Sequence, residues 1–363
     1  MTLPVNESLF KAFIWNAVQL KQSSVSAITH QKYMSQQYSL GLDILDVKLP
    51  VFFKSSSLIE FNNLYRIIGS LSPTWSNKLP YVAAFGYTQG ILIHELRSGD
   101  EDTKESVGLS SSIFNICISL FDYIVDELPK GRNIFKIITY EVLLDLMDLS
   151  KSPDKTILLK DACLNKLEWS LAWFVFAFSI SCRLLHRYSK NDEAWEKLSL
   201  SVFRLYCAEK LSCRLQRNKL RMSNSESLMK KLRYKSVVPS ISTFFISQVA
   251  CASSLEKQEN KIEEICETIG SIFWISDDLG DNAKDLKSGT LSYITVKMLN
   301  IPHDENLIFD EESFYEVLIS FIEYLLNLLQ KLDEELKSIS GSTITYSKVM
   351  EYVQMYVTSS IVN

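Results

Sequence analysis

Long stretches of this chain contain no residue able to turn it sharply. Its 363 residues include only 11 glycines and 8 prolines. Strands need frequent turns, and a sandwich or a Rossmann sheet of this length would need many more such positions. Apolar residues recur with helical rather than alternating period along most of the sequence, so the predicted fold is all-α, a single large helical bundle over residues 1–363. The apolar share of 47% and charged share of 22% are those of an ordinary globular chain with enough material for a wide core.

Several breaks delimit the predicted helices. A charged loop is expected over residues 96–108, and Leu128-Pro-Lys-Gly131 and Ser150-Lys-Ser-Pro153 end two helices. Polar loops follow at Arg187–Asp192, Met222–Glu226 and Ser253–Asn260, and Ile301–Asn306 precedes a final helix pair. None is long enough to be a domain linker. The longest apolar run, Trp169 to Cys182, has 14 residues, whereas a bilayer needs about 20. No stable membrane insertion is expected, and this run reads as a central buried helix.

Other classes are disfavoured by composition. A net charge of −5 lacks the basic excess of a nucleic-acid binder. No glycine-rich phosphate loop is present. The seven cysteines form no CxxC pair, which argues against zinc and disulfide frameworks and fits a reducing, cytoplasmic setting. Met1-Thr-Leu-Pro-Val-Asn-Glu7 lacks the basic and apolar regions of a signal peptide.

The chemistry concentrates in two acidic clusters. In Gly270-Ser-Ile-Phe-Trp-Ile-Ser-Asp-Asp-Leu-Gly-Asp-Asn-Ala-Lys-Asp-Leu-Lys287, residues Asp277, Asp281 and Asp285 fall at i, i+4 and i+8. On a helix they form one stripe of mutually repelling charge, which a hard cation would relieve. A solvated acidic face is the alternative reading of this segment alone. The second cluster, Asp122-Tyr-Ile-Val-Asp-Glu127, ends an apolar helical stretch, where carboxylates are costly unless solvated, paired or metal-bound. The clusters stand about 155 residues apart in sequence. Facing each other across a bundle, they would hold metal against one diphosphate.

Together these segments resemble the paired aspartate-rich motifs of class I isoprenoid synthases, the trans-prenyltransferase and terpene-synthase superfamily. Residues 270–281 match G-x-x-F-Q-x-x-D-D-x-x-D at Gly270, Phe273, Asp277, Asp278 and Asp281. Lys284 to Leu291 is similar to a shortened D-L-x-x-G-K-x-T-L, and residues 122–132 resemble D-D-x-x-D-E…R-R. Lys235-Ser236, 42 residues before Asp277, resembles the Lys-Thr pair that touches diphosphate in prenyltransferases. The resemblance spans roughly residues 70–300, and it implies the class I terpenoid synthase bundle with a central apolar cavity. It also implies Mg²⁺ as cofactor, a prenyl diphosphate substrate and, as is frequent in that family, a homodimer.

The departures mark an atypical member. Tyr123 stands where prenyltransferases carry a second Asp, Gly131 replaces the first arginine, and Trp274 replaces the Gln. The G-G-K-R element is missing, with Ser76-Asn-Lys-Leu-Pro80 the nearest stretch. Those basic groups grip the second diphosphate of chain-elongating relatives, and each charge-assisted contact is worth about 1.5–3 kcal/mol. Their loss favours a terpene synthase that ionises one fifteen- or twenty-carbon allylic diphosphate. Condensation with isopentenyl diphosphate or another acceptor is the alternative, followed by head-to-head condensation and by a non-catalytic partner of an active synthase. The terpene-synthase N-S-E triad is absent as well.

On this reading Asp122, Asp126, Asp277 and Asp281 are the catalytic metal ligands, with Asp278 and Glu127 as weaker ones. Lys235, Arg233, Lys284 and Arg132 are the diphosphate contacts, with local ion pairing as the competing role. Trp173, Phe176, Trp274 and Phe244 are candidates for the apolar wall that shelters a carbocation, although core packing accounts for most such aromatics. Pro239 is expected to break or kink the helix that Lys235 opens. His94-Glu95 reads as an ordinary helix end.

Overall fold

The computed structural model describes residues 27–52, 73–127, 134–137, 192–215, 230–251, 256–288, 292, 294, 311–339 and 343–362. All regular structure among them is helical, as expected. In chain order the helices are α1 (Ala27–Asp43), a π-helical turn (Ile44–Lys48), α2 (Leu49–Phe52), α3 (Pro73–Leu96), α4 (Glu101–Glu127) and α5 (Ile134–Ile137). They continue with α6 (Asp192–Leu215), α7 (Tyr234–Ala250), α8 (Glu256–Ser288), α9 (Glu311–Ile339) and α10 (Thr343–Val362). The apolar run 169–182 and the breaks at 150–153, 222–226 and 301–306 lie outside the described residues.

The chain divides into two compact units. The first comprises residues 32–206 and 241–262, and the second residues 1–31, 207–240 and 263–363. The divisions fall inside α1, α6, α7 and α8.

The first unit is organised around α3 and α4, which pack along their length. Small residues bring the two backbones together. Ser112 and Asn115 on α4 donate to the carbonyls of Ala83 and Val82 on α3, at 2.9 and 2.8 Å. Ile113, Ile116, Leu120 and Ile124 of α4 are buried, each at 1% exposure or less. The segment Glu101–Val125 is long and apolar enough to span a bilayer, but 72% of its apolar window is buried within the fold. It is therefore a core helix.

The α3–α4 connection is shorter than expected. Helix α4 begins at Glu101, because the Asp100 carboxylate accepts from the Thr103 N–H at 2.8 Å and caps the helix. Glu101 and Asp102 then place negative charge in the first turn, where the helix dipole favours it. A second correction concerns residues 253–260: α8 already starts at Glu256. Pro239 does not break α7, which runs through it to Ala250. Helix α4 is described as far as Glu127, and the break expected at Leu128–Gly131 lies outside the described residues.

In the second unit two glycines set where other helices meet α8. A Cβ on Gly270 would lie 2.7 Å from Val237 Cα of α7, and one on Gly280 would lie 2.0 Å from the Ser360 carbonyl oxygen of α10. Any side chain at either place would force the backbones apart. Between them α8 is almost entirely enclosed, with Ile272, Ile275, Ser276 and Leu279 fully buried.

Candidate metal and diphosphate site

The second aspartate motif sits where α8 emerges from the core. Phe273 and Trp274 are buried, Asp277 and Asp278 are half-buried, and Asp281 one turn later is exposed. The i, i+4, i+8 stripe is thus helical, although nothing is described of the Asp285 side chain.

Asp277 is held from α10. Tyr356 Oη donates to its Oδ2 at 2.9 Å, and Ser360 Oγ donates to its Oδ1 at 2.8 Å. Tyr356 and Ser360 are one turn apart, so both hydroxyls leave α10 from the same face. The Tyr356 ring stacks on Phe273 with centroids 3.8 Å apart, and Phe273 meets Tyr352 edge-on at 5.8 Å. Burial, reinforced by the negative charge of Asp277, pushes the Tyr356 phenol well above its ordinary pKa, so it stays a proton donor. No motif in the sequence announced this pair. Their spacing at i, i+4 on the last helix was the only available signal.

The basic residues at the start of α7 are already engaged. Arg233 donates to Glu267 at 2.5 Å and to Ser271 Oγ at 3.1 Å, both on α8. Lys235 Nζ lies 3.4 Å from Glu209 of α6, a carboxylate only 2% exposed. Both cations are partly exposed, at 30% and 28%. Part of each side chain is exposed to solvent, while their charges are in part locally compensated.

In the first unit, Asp122 lies half-buried on the last turns of α4, next to Phe121, which packs edge-on against Phe135 at 5.7 Å. Asp126 and Glu127 are on the same helix, but their side chains, like that of Lys284 on α8, lie outside the described residues. Arg132, Trp173 and Phe176 lie outside them altogether. Phe244 is fully buried, packed on Phe245 at 5.4 Å and under the Arg97 guanidinium at 5.6 Å. Trp274 is 8% exposed.

His94, an ordinary helix end by sequence, belongs to a buried polar network. Its Nε2–H donates to the Asp100 carbonyl at 2.9 Å, which leaves Nδ1 to accept from Ser247 Oγ at 2.9 Å. Ser247 in turn accepts from Arg97 Nη1 at 2.7 Å. Arg97 also grips Glu259, and all five residues lie in the first unit.

Among the described residues, no group of three or more His, Cys, Asp or Glu side chains is gathered to hold a metal. Asp277, Asp278 and Asp281 nevertheless supply only hard oxygen donors. Mg²⁺ commonly takes one or two carboxylates and completes its shell with water and phosphate oxygens. The residues present fit that cation in kind.

Neither a protein-family model nor a curated protein sequence matches the chain. Solved structures do. A geranylgeranyl pyrophosphate synthetase from Pyrococcus horikoshii aligns over 96% of this chain and 98% of its own, with TM-score 0.50 and 11% identity. A further geranylgeranyl pyrophosphate synthase aligns over 97% and 98%, with TM-score 0.49 and 12% identity. The farnesyl diphosphate synthase of T. brucei aligns over 92% and 98%, with TM-score 0.39 and 12% identity. At these identities the likeness concerns the fold, and the fold is the all-α one that the motifs implied.

Proposed function

We infer that this chain is a Mg²⁺-dependent class I isoprenoid synthase that ionises a fifteen- or twenty-carbon allylic prenyl diphosphate and releases a linear or cyclic terpene plus diphosphate. The observation that carries the reading is the state of Asp277. The first acid of the second motif stands at the mouth of a buried apolar helix, its two oxygens held by Tyr356 and Ser360.

Asp277, Asp278 and Asp281 of the second motif, with Asp122 and Asp126 of the first, are the proposed ligands. Bound Mg²⁺ would neutralise charge on the departing diphosphate and so favour heterolysis of the carbon–oxygen bond. Arg233 and Lys235 offer their solvent-facing N–H groups to the diphosphate oxygens, while Glu267 and Glu209 hold them in place. Trp274, buried one turn before the aspartates, is the proposed contributor to an apolar wall that would keep water from the allylic cation. Gly131 in place of an arginine, together with the missing G-G-K-R element, leaves little to grip a second diphosphate. That supports a one-substrate reaction.

The intact D-D-x-x-D pattern at Asp277, Asp278 and Asp281 favours a second reading, condensation with isopentenyl diphosphate or another acceptor. One experiment separates the two. Purified protein is incubated with Mg²⁺ and geranyl, farnesyl or geranylgeranyl diphosphate, each with and without isopentenyl diphosphate, and volatile and diphosphate products are analysed. Hydrocarbon or alcohol from one allylic substrate, abolished by Asp277→Ala and by Asp122→Ala, is the expected result. A longer diphosphate formed only with isopentenyl diphosphate would establish the condensation. No turnover together with no Mg²⁺-dependent diphosphate binding would point to a non-catalytic partner.

A further inference from the structure

The carboxylate of Asp277 is the acceptor of two hydroxyl hydrogen bonds that come from one helix, α10, and reach one oxygen each. An ionised carboxylate offers about four acceptor positions, and these two bonds take one on each oxygen. They also remove the freedom of the carboxylate to rotate, because its two oxygens are tied to fixed points one helical turn apart.

Those points are themselves rigid. The Ser360 carbonyl sits in the space that a side chain on Gly280 would fill, so α10 lies directly on the α8 backbone one turn beyond Asp277. The Tyr356 ring is stacked on Phe273, one turn before Asp277. Ser359 accepts or donates a hydrogen bond at 2.9 Å with His30, which ties the same turn of α10 to α1. The last helix is thus anchored on both sides of the aspartate that it holds.

We propose that Tyr356 and Ser360 are positioning residues, whose hydroxyls orient the Asp277 carboxylate for a divalent cation. The proposal rests on the metal-ligand reading of Asp277 given above. Partners that orient a ligand from behind typically contribute ten- to hundredfold in metal affinity. The last helix would thereby be part of the metal site although it carries none of the aspartate motif.

The test uses the full chain and Mn²⁺ as the probe. Binding is read from loss of the free Mn²⁺ electron paramagnetic resonance signal, with and without inorganic pyrophosphate. Tyr356→Phe keeps the ring on Phe273 and removes only the hydroxyl; Ser360→Ala removes the other; Ser360→Thr restores a hydroxyl. Each single variant is expected to weaken Mn²⁺ binding severalfold, the double variant ten- to hundredfold, and Ser360→Thr much less. Melting curves of the metal-free proteins identify any variant that has lost its fold, in which case the remaining single variant decides.

Unchanged affinity in the variants would overturn the proposal, and tighter binding would show that the hydroxyls compete with the cation instead. Binding by the wild type that is indifferent to Asp277→Ala would also overturn it, while leaving a metal-dependent function intact. A wild-type chain that binds no Mn²⁺ in either condition would sink the functional reading itself, and the positioning role with it.

Discussion

The guanidinium of Arg97 clasps the carboxylate of Glu259: Nε reaches Oε1 at 3.2 Å and Oε2 at 2.9 Å, and Nη2 reaches Oε1 at 2.7 Å. The Arg97 side chain is 1% exposed and that of Glu259 12%. A pair so enclosed contributes little net stability over an apolar pair of the same shape, but breaking it leaves a charge stranded. Arg97→Met is therefore expected to destabilise the protein by about 3–5 kcal/mol. The double change Arg97→Met with Glu259→Met should recover most of that loss in denaturant titrations. A loss in the double variant equal to the sum of the losses in Arg97→Met and Glu259→Met alone would show that the pair has no such coupling.

His94 makes stability depend on pH. Burial lowers its pKa below the usual 6.5, and the neighbouring Arg97 charge adds to that, while the Asp100 carbonyl opposes it. The unfolded chain then binds the proton more readily than the folded one. Its contribution is fully present above about pH 6.5 and is lost as pH falls from there through the folded pKa. Thermal melts between pH 7.5 and 5 should show a falling midpoint, and His94→Gln should flatten the part of that slope due to this residue. The half-buried His30 acts in the same direction, so some slope will remain.

Ser98 is a non-glycine residue in the left-handed region, with φ 55°. It closes α3 in a Schellman turn, with its N–H on the Glu95 carbonyl and the Gly99 N–H on the His94 carbonyl. The side chain is exposed. Ser98→Gly should relieve the conformation and stabilise the protein by up to about 1 kcal/mol, a rise in melting temperature that calorimetry would detect.

Gly280 has no room for even a methyl group. Gly280→Ala should separate α10 from α8 at the cost of about 1–3 kcal/mol. Because the same displacement carries Ser360 away from Asp277, Mn²⁺ affinity should fall along with the melting temperature. A stability loss with unaltered metal binding would show that the two effects are separable.

Lys235 has two roles to distinguish. Removing it withdraws the cation from the buried Glu209 carboxylate, so Lys235→Ala is expected to destabilise by about 1–3 kcal/mol. Adding Glu209→Gln should restore the stability. If pyrophosphate binding stays weak in that restored double variant, Lys235 also contacts the diphosphate.

The helical character of the chain was legible because it follows from local chemistry. Few turn residues and a continuous helical period anticipated the body of α4, and the aspartate stripe on α8 followed from a repeat of four. Where local reading failed, a cap or a distant contact was responsible. Asp100 turned an acidic stretch that reads as loop into the first turn of α4. Pro239 was absorbed because the missing hydrogen bond falls in the early turns of α7, which the burial of Val237, Val238 and Ser240 keeps in place.

The type of each functional group is a property of the residue itself: an aspartate is a hard oxygen donor and an arginine a permanent cation wherever it stands. Their states are not, because those depend on groups far away in the chain. Tyr356 and Ser360 reach Asp277 from about 80 positions further along. Arg97 meets Glu259 across 162 positions. Hydrogen bonds act over about 3 Å of space, so such pairings exist only once the helices have packed, and nothing in the intervening sequence encodes them.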